Sequence, residues 1–265
     1  MFSSLPRCCY RKNQLTDVIC QFRFPRIPEL NDQEPQQYRE AIRDLFPQYH
    51  LRQDIPAPKI TGAPGNFSLE NQPRTVNHQF TSACGRIRVN LTSNFISVSC
   101  ANYTCWEDFA AMLDKPLAEF IRMYQPTHFL RIGLRYLNVI SRRDLDMEGI
   151  RFSELLQPCY LGPLGEPDIS QSATTRSTLD LETAMPGGCR LKIHAGPGHI
   201  RKAGIEDPEA KFVFDQDLSI TGNLPLNHTA ATLQTLHSHA WSVFRGAITQ
   251  KLHEAMEPAN RNNLY

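Results

Sequence analysis

The stretch with the most chemical character in this sequence is Arg131-Ile132-Gly133-Leu134-Arg135-Tyr136-Leu137-Asn138. On an extended strand its two arginines share one face about 13 Å apart, with a glycine between them that leaves room for close approach. Guanidinium forks match carboxylates and phosphates, so this face suits the reading of anions. The plainer reading is a cross-strand charge ladder with Asp180, Glu182, Asp215 or Asp217, each on the polar side of its own strand. Phe214-Asp215-Gln216-Asp217 adds two same-face carboxylates. Such a pair suits a hard cation or divided acid and base roles, but no third ligand stands near it in sequence.

The nine histidines offer less. His237 and His239 point to different faces of a helix and cannot share a metal, and His237, one turn before Trp241, reads as a packed or rim residue. His194 and His199 flank Gly196-Pro197-Gly198, a phosphate-accepting loop in its most generous reading, without the lysine and following helix of a P-loop. No G-x-S-x-G, H-E-x-x-H or dinucleotide fingerprint occurs in the chain. The expected metal and cofactor complement is none.

The elements that must position these groups are legible from periodicity. Leu15 to Phe24 alternates as a strand, and Gln33 to Phe46 carries a helical stripe of Tyr38, Ala41, Ile42 and Leu45. Ile55 to Pro73, rich in Pro and Gly, reads as a loop. Two long strands, Arg74 to Cys84 and Arg86 to Cys100, turn at Gly85. Thr104 and Glu107 have capping-box spacing ahead of an amphipathic helix reaching Tyr124, which Pro116 should kink or divide. Thr127 to Ile140 is the strongest strand; a short helix follows from Ser153 to Gln157. Ser177 to Ala184 and Arg190 to His194 form a hairpin through Pro186-Gly187-Gly188. A loop from Gly196 to Ala210, a strand from Lys211 to Ile220 and a long helix from Thr229 to Met256 complete the chain.

The expected class is α+β: curved antiparallel sheet with long amphipathic helices on one face. Residues 1–125 and 126–265 repeat the same element order, giving pseudo-duplicated, helix-grip-like halves of one unit.

Composition limits the function. The 265 residues are 41% hydrophobic and 21% charged, which excludes general disorder, and the net charge of +1 gives no strong attraction to nucleic acid or anionic membrane. No apolar run is long enough to span a bilayer, and the amino terminus lacks the apolar region of a secretory signal. The eight cysteines form no C-x-x-C pair; Cys20, Cys84 and Cys100 lie at strands and read as small buried hydrophobes in a reduced, cytoplasmic protein.

The chain resembles a sporadically distributed, uncharacterised family of prokaryotic proteins of about this length, found beside mobile or defence (CRISPR-type) genes. The resemblance rests on Phe22-Arg23-Phe24-Pro25, Tyr103-x-x-Trp106-x-x-Phe109, Arg131-x-Gly133-x-Arg135-Tyr136-x-Asn138, Phe214-Asp215-x-Asp217 and the helix from His237 to Thr249. It implies an accessory part in a defence system. The expected function is a non-enzymatic regulatory subunit that binds protein through Arg131, Gly133 and Arg135, with Trp241 as an anchor where exposed. The alternatives are a nucleic-acid module, with Arg86, Arg88, Arg142 and Arg143 joining those arginines beside Phe129, and a metal-dependent hydrolase using Asp215 and Asp217.

Overall fold

In a computed structural model the described residues are 1–54, 59–63, 66–70, 75–202 and 204–260. Nine strands form the main sheet: β1 (Leu15–Arg23), β2 (Gln48–Asp54), β3 (Thr75–Thr81), β4 (Ile87–Leu91), β5 (Phe95–Cys100), β6 (Phe129–Ile140), β7 (Leu179–Met185), β8 (Cys189–Lys202) and β9 (Ile205–Leu224). Their order across the sheet is β7-β8-β9-β6-β1-β5-β4-β3-β2, and every neighbouring pair is antiparallel. Four helices matter here: α1 (Gln36–Ile42), α2 (Trp106–Tyr124), α3 (Thr229–Ala247) and α4 (Gln250–Ala255).

One face of the sheet is apolar and covered. Val18, Cys20 and Phe22 of β1 alternate inward with Ile132, Leu134 and Tyr136 of β6, all buried. Against them α2 turns Trp106, Phe109, Leu113 and Phe120, while α3 turns Leu233, Leu236, Ala240, Val243 and Phe244. Phe24 meets Phe120 at 4.6 Å, and Phe22 meets Phe129 at 5.2 Å between ring centroids. Each fully buried side chain of this kind contributes about 1.5–3 kcal/mol through lost water contact. The opposite face is polar, as antiparallel sheets allow.

Several local expectations change. Arg86 to Cys100 is two strands, because Thr92 Oγ1 accepts from the Asn94 and Phe95 amides and bends the chain there. Gln48–Asp54 is a strand that the periodicity did not reveal, and the expected loop after it contains a paired Lys59–Ala63 and Asn66–Glu70; the rest of that stretch lies outside the described residues. The helix expected from Gln33 to Phe46 is shorter, and Glu29–Asp32 forms a separate turn of helix before it. Gly196 to Lys202 and Ile205 to Ala210, expected within a loop, are strand. Ladder pairing carries β8 and β9 onward through Pro197, with an irregularity at His199 and Arg201, so Gly196-Pro197-Gly198 lies in a strand and forms no phosphate loop. The last helix divides at Ile248, which bridges to Leu156, and Thr249 caps α4 by accepting from the Leu252 amide. Helix α2, by contrast, runs unbroken through Pro116.

Candidate functional site

On the covered face the sheet, α2, α3 and residues 7–10 line an open cavity of about 350 Å³, at the small end of the ~300–1,000 Å³ typical of small-molecule sites. Its floor is Leu15, Tyr136, Asn138 and Gln216 from β1, β6 and β9. Its walls come from Tyr103 to Glu107 at the start of α2 and from His237, Ala240, Trp241 and Phe244 on α3.

The amino-terminal arm forms the remaining side. Cys9 and Tyr10 pair with Ala259 and Pro258, which ties the arm to the last described residues. The Ser3 amide donates to the Ser242 carbonyl at 2.9 Å, Ser242 Oγ returns a bond to the Ser3 carbonyl, and Trp241 Nε1 donates to the Leu5 carbonyl at 3.0 Å. Gly246 is needed where the arm begins, because a Cβ there would run into the Met1 carbonyl oxygen.

Inside, one chain of polar groups has a fixed direction. Arg7 Nη1 lies 2.5 Å from His237 Nε2. A guanidinium only donates, so Nε2 accepts, and the imidazole proton sits on Nδ1. That Nδ1–H donates to the Tyr136 hydroxyl at 2.8 Å. The His237 ring lies flat on Trp106, centroids 4.3 Å apart and planes within 7°. Burial, aided by the Arg7 charge, lowers its pKa to about 3. Arg7 also pairs with Glu107, so the two charged residues in the lining neutralise each other.

The thiols are equally quiet. Burial pushes Cys9 up to about 11, and raises Cys8 and Cys105 in the same way. Cys105 and Thr104 both donate to Asp108 Oδ2, both at 3.0 Å. The expected capping box is therefore absent: Cys105 is the cap position with no side-chain cap bond, and Glu107 turns to Arg7 instead.

The residues expected to form one contact surface are split. Arg131, Gly133 and Arg135 lie on the open polar face, whereas Trp241 lies on α3, stacked with Tyr10 and half-buried under the arm. Both arginines are engaged. Arg131 Nη2 donates to both oxygens of Asp217 at 2.9 and 3.0 Å, and Arg135 Nε donates to Asp215 at 2.8 Å. Gly133 accommodates the Arg131 guanidinium, which lies where a Cβ would be. The ladder extends outward: Glu182, Lys192, Asp217 and Arg135 stand in register across β7, β8, β9 and β6, alternating in sign. Asp215 and Asp217 are thus ion-pair partners, and among the described residues no three metal-ligating side chains cluster.

The set for nucleic acid disperses too. Arg88 sits on β4, three strands from β6. Arg142 donates to the Ile150 and Ala210 carbonyls and lies over Phe152, and Arg143 faces Asp207 at 3.6 Å. Arg86 is exposed near the β3–β4 turn, and Phe129 is fully buried, so it offers no stacking surface beside these groups. Cys84 is exposed at that turn, where its neighbour Ser82 lowers its pKa, while Cys20 and Cys100 are buried as expected. His237 and His239 do face different ways: His239 reaches the Pro186 carbonyl.

Sequence reasoning did not find the cavity. The available signal was the run of inward polar residues, Tyr136, Asn138 and Gln216, on strands whose other inward positions are apolar. No protein-family model matches the chain, and no curated protein matches it.

Proposed function

We propose that this chain is a non-enzymatic binding protein that holds a small molecule in the cavity between α2, α3 and the sheet. The observation that carries this reading is a mainly apolar, open pocket with six aromatic residues in its lining, whose reactive groups are disarmed. His237 is neutral with Nε2 covered by Arg7, and the thiols are protonated. A general base works best with a pKa near the operating pH, and a cysteine nucleophile needs its thiolate. A fragment screen on the purified chain tests it, read by melting temperature and tryptophan emission. Compounds that raise the melting point and perturb emission together support the reading; a broad library that moves neither overturns it.

An accessory or regulatory role in a prokaryotic defence complex belongs to the same proposal and rests on the family resemblance. The alternating charges of the open face, around Arg131, Gly133 and Arg135, are the surface a protein partner would meet. Cytoplasmic placement goes with it; among the described residues no helix is long and apolar enough to cross a membrane. We also read the two halves as pseudo-duplicated helix-grip units. Supporting this, β1 and β6 adjoin at the centre, the following strands start at the outer edges and return inward, and α2 and α3 close each series.

A further inference from the structure

Arg7 sits in a receptor built by other elements. Its guanidinium presents two nitrogens to two acceptors: Nη1 to Nε2 of His237 on α3, and Nη2 to the Glu107 carboxylate in the first turn of α2. All three residues line the cavity. A guanidinium donates from a rigid planar fork, whereas an ammonium is a point charge with rotating donors, so two acceptors on separate nitrogens select the fork. Groups outside the arm orient His237. The Tyr136 hydroxyl takes the Nδ1 proton, which leaves Nε2 as an acceptor, and the parallel Trp106 indole fixes the plane of the ring.

The occupant is exchangeable. The side chains of Arg7 and Glu107 are 38% and 35% exposed, and ion pairs so open to water contribute little. The arm is anchored on either side of Arg7, by Ser3 on Ser242 and by Cys9 and Tyr10 on Ala259 and Pro258. Between these anchors, residues 4–8 make no backbone–backbone hydrogen bond among the described residues, so the Arg7 side chain can swing out while both anchors stay. Resting on the small-molecule reading above, we propose that Glu107 and His237 form a guanidinium subsite of the cavity, that Arg7 is its built-in occupant, and that the ligand is a small guanidinium cation that enters by displacing Arg7. A tethered competitor acts at an effective concentration in the millimolar range, so Arg7 sets a threshold for occupancy.

Arg7→Ala removes the piece of side chain that ethylguanidinium replaces. Ethylguanidinium, its uncharged counterpart ethylurea, and ethylammonium are titrated into the parent, Arg7→Ala, and Arg7→Ala with Glu107→Gln. The NMR shift of the His237 ring proton gives the affinity, and melting temperature gives the rescue. Ethylguanidinium is expected to bind Arg7→Ala ten-fold or more tighter than either control, to raise its melting temperature, and to lose that preference with Glu107→Gln. The parent should bind ethylguanidinium too, ten-fold or more weakly than Arg7→Ala, with a shift of the Arg7 Nε–H signal as the side chain leaves.

Rescue of Arg7→Ala without any binding to the parent makes Arg7 a fixed structural residue and overturns the exchange. Ethylurea binding as well as ethylguanidinium overturns the cation class while leaving a small-molecule cavity. Indifference to Glu107→Gln overturns the subsite. Failure of all three probes on both the parent and Arg7→Ala also overturns it, and fragments that raise the melting point would then keep the binding reading standing without it.

Discussion

The His237 imidazole lies parallel to the Trp106 indole at 4.3 Å, with one ring nitrogen bonded to Arg7 and the other to Tyr136. Two distant segments thereby fix one tautomer: Arg7 comes from the arm and Tyr136 from the centre of the sheet. The arrangement holds only while the ring is neutral, because a protonated Nε2 would face a guanidinium at hydrogen-bond distance.

Stability should therefore fall in acid. His237 has its folded pKa lowered to about 3, against an unfolded value of ~6.5. Its contribution is complete above ~6.5 and is lost as the pH drops toward 3, because only the unfolded chain takes up the proton in that window. The slope reaches about 1.4 kcal/mol per pH unit for one proton. His78 and His253 are lowered in the same direction, also by burial. Urea midpoints measured from pH 7 to pH 5 should show a shallower decline in His237→Gln than in the parent. Equal slopes would mean that His237 is not held neutral.

Removing Arg7 should raise the His237 pKa without restoring it. The Arg7 charge is the second cause of the depression and burial is the first, so Arg7→Ala leaves the larger one in place. An NMR titration of the His237 ring proton should show a pKa above about 3 and still below ~6.5. A value unchanged from the parent would assign the whole depression to burial.

Gly133 and Arg131 should behave as a coupled pair. In the parent, Gly133→Ala displaces the Arg131 guanidinium from Asp217 and should cost about 0.5–1 kcal/mol. In an Arg131→Ala background the same change meets nothing and should be neutral, or favourable by about 0.5 kcal/mol through reduced chain entropy. Denaturant melts of the four proteins complete the cycle. Additive effects would mean that the guanidinium does not lie over Gly133 in solution.

Gly246→Ala should loosen the arm. Helix propensity alone favours alanine by about 1 kcal/mol, but the new Cβ meets the Met1 carbonyl and the Phe2 backbone. Faster hydrogen exchange at the Ser3 amide, with a shift in Trp241 emission, is the expected outcome. Unchanged exchange would show that the arm can seat itself without that close approach.

Periodicity alone determined the central part of the backbone framework. Alternation in Leu15–Arg23 and Phe129–Ile140, and the apolar stripes of α2 and α3, announce an antiparallel sheet with helices on one face, since one-sided burial imposes those periods. The same alternation put Arg131, Arg135, Asp215 and Asp217 outward, so their ladder was readable in outline. Where strands end was less legible: β8 continues from Gly196 to Lys202 and β9 begins at Ile205, because ladder hydrogen bonds use backbone groups that every residue carries. The cavity was decided by tertiary structure alone. Arg7, Tyr136, Gln216 and His237 are far apart in the chain, and each looks ordinary in its own element. Only the register of β6 against β9, the packing of α3 over them and the course of the arm bring a buried glutamine, a fixed imidazole and two tryptophans around one space. No local period encodes such a meeting, because it depends on contacts between elements and not on spacing within any one of them.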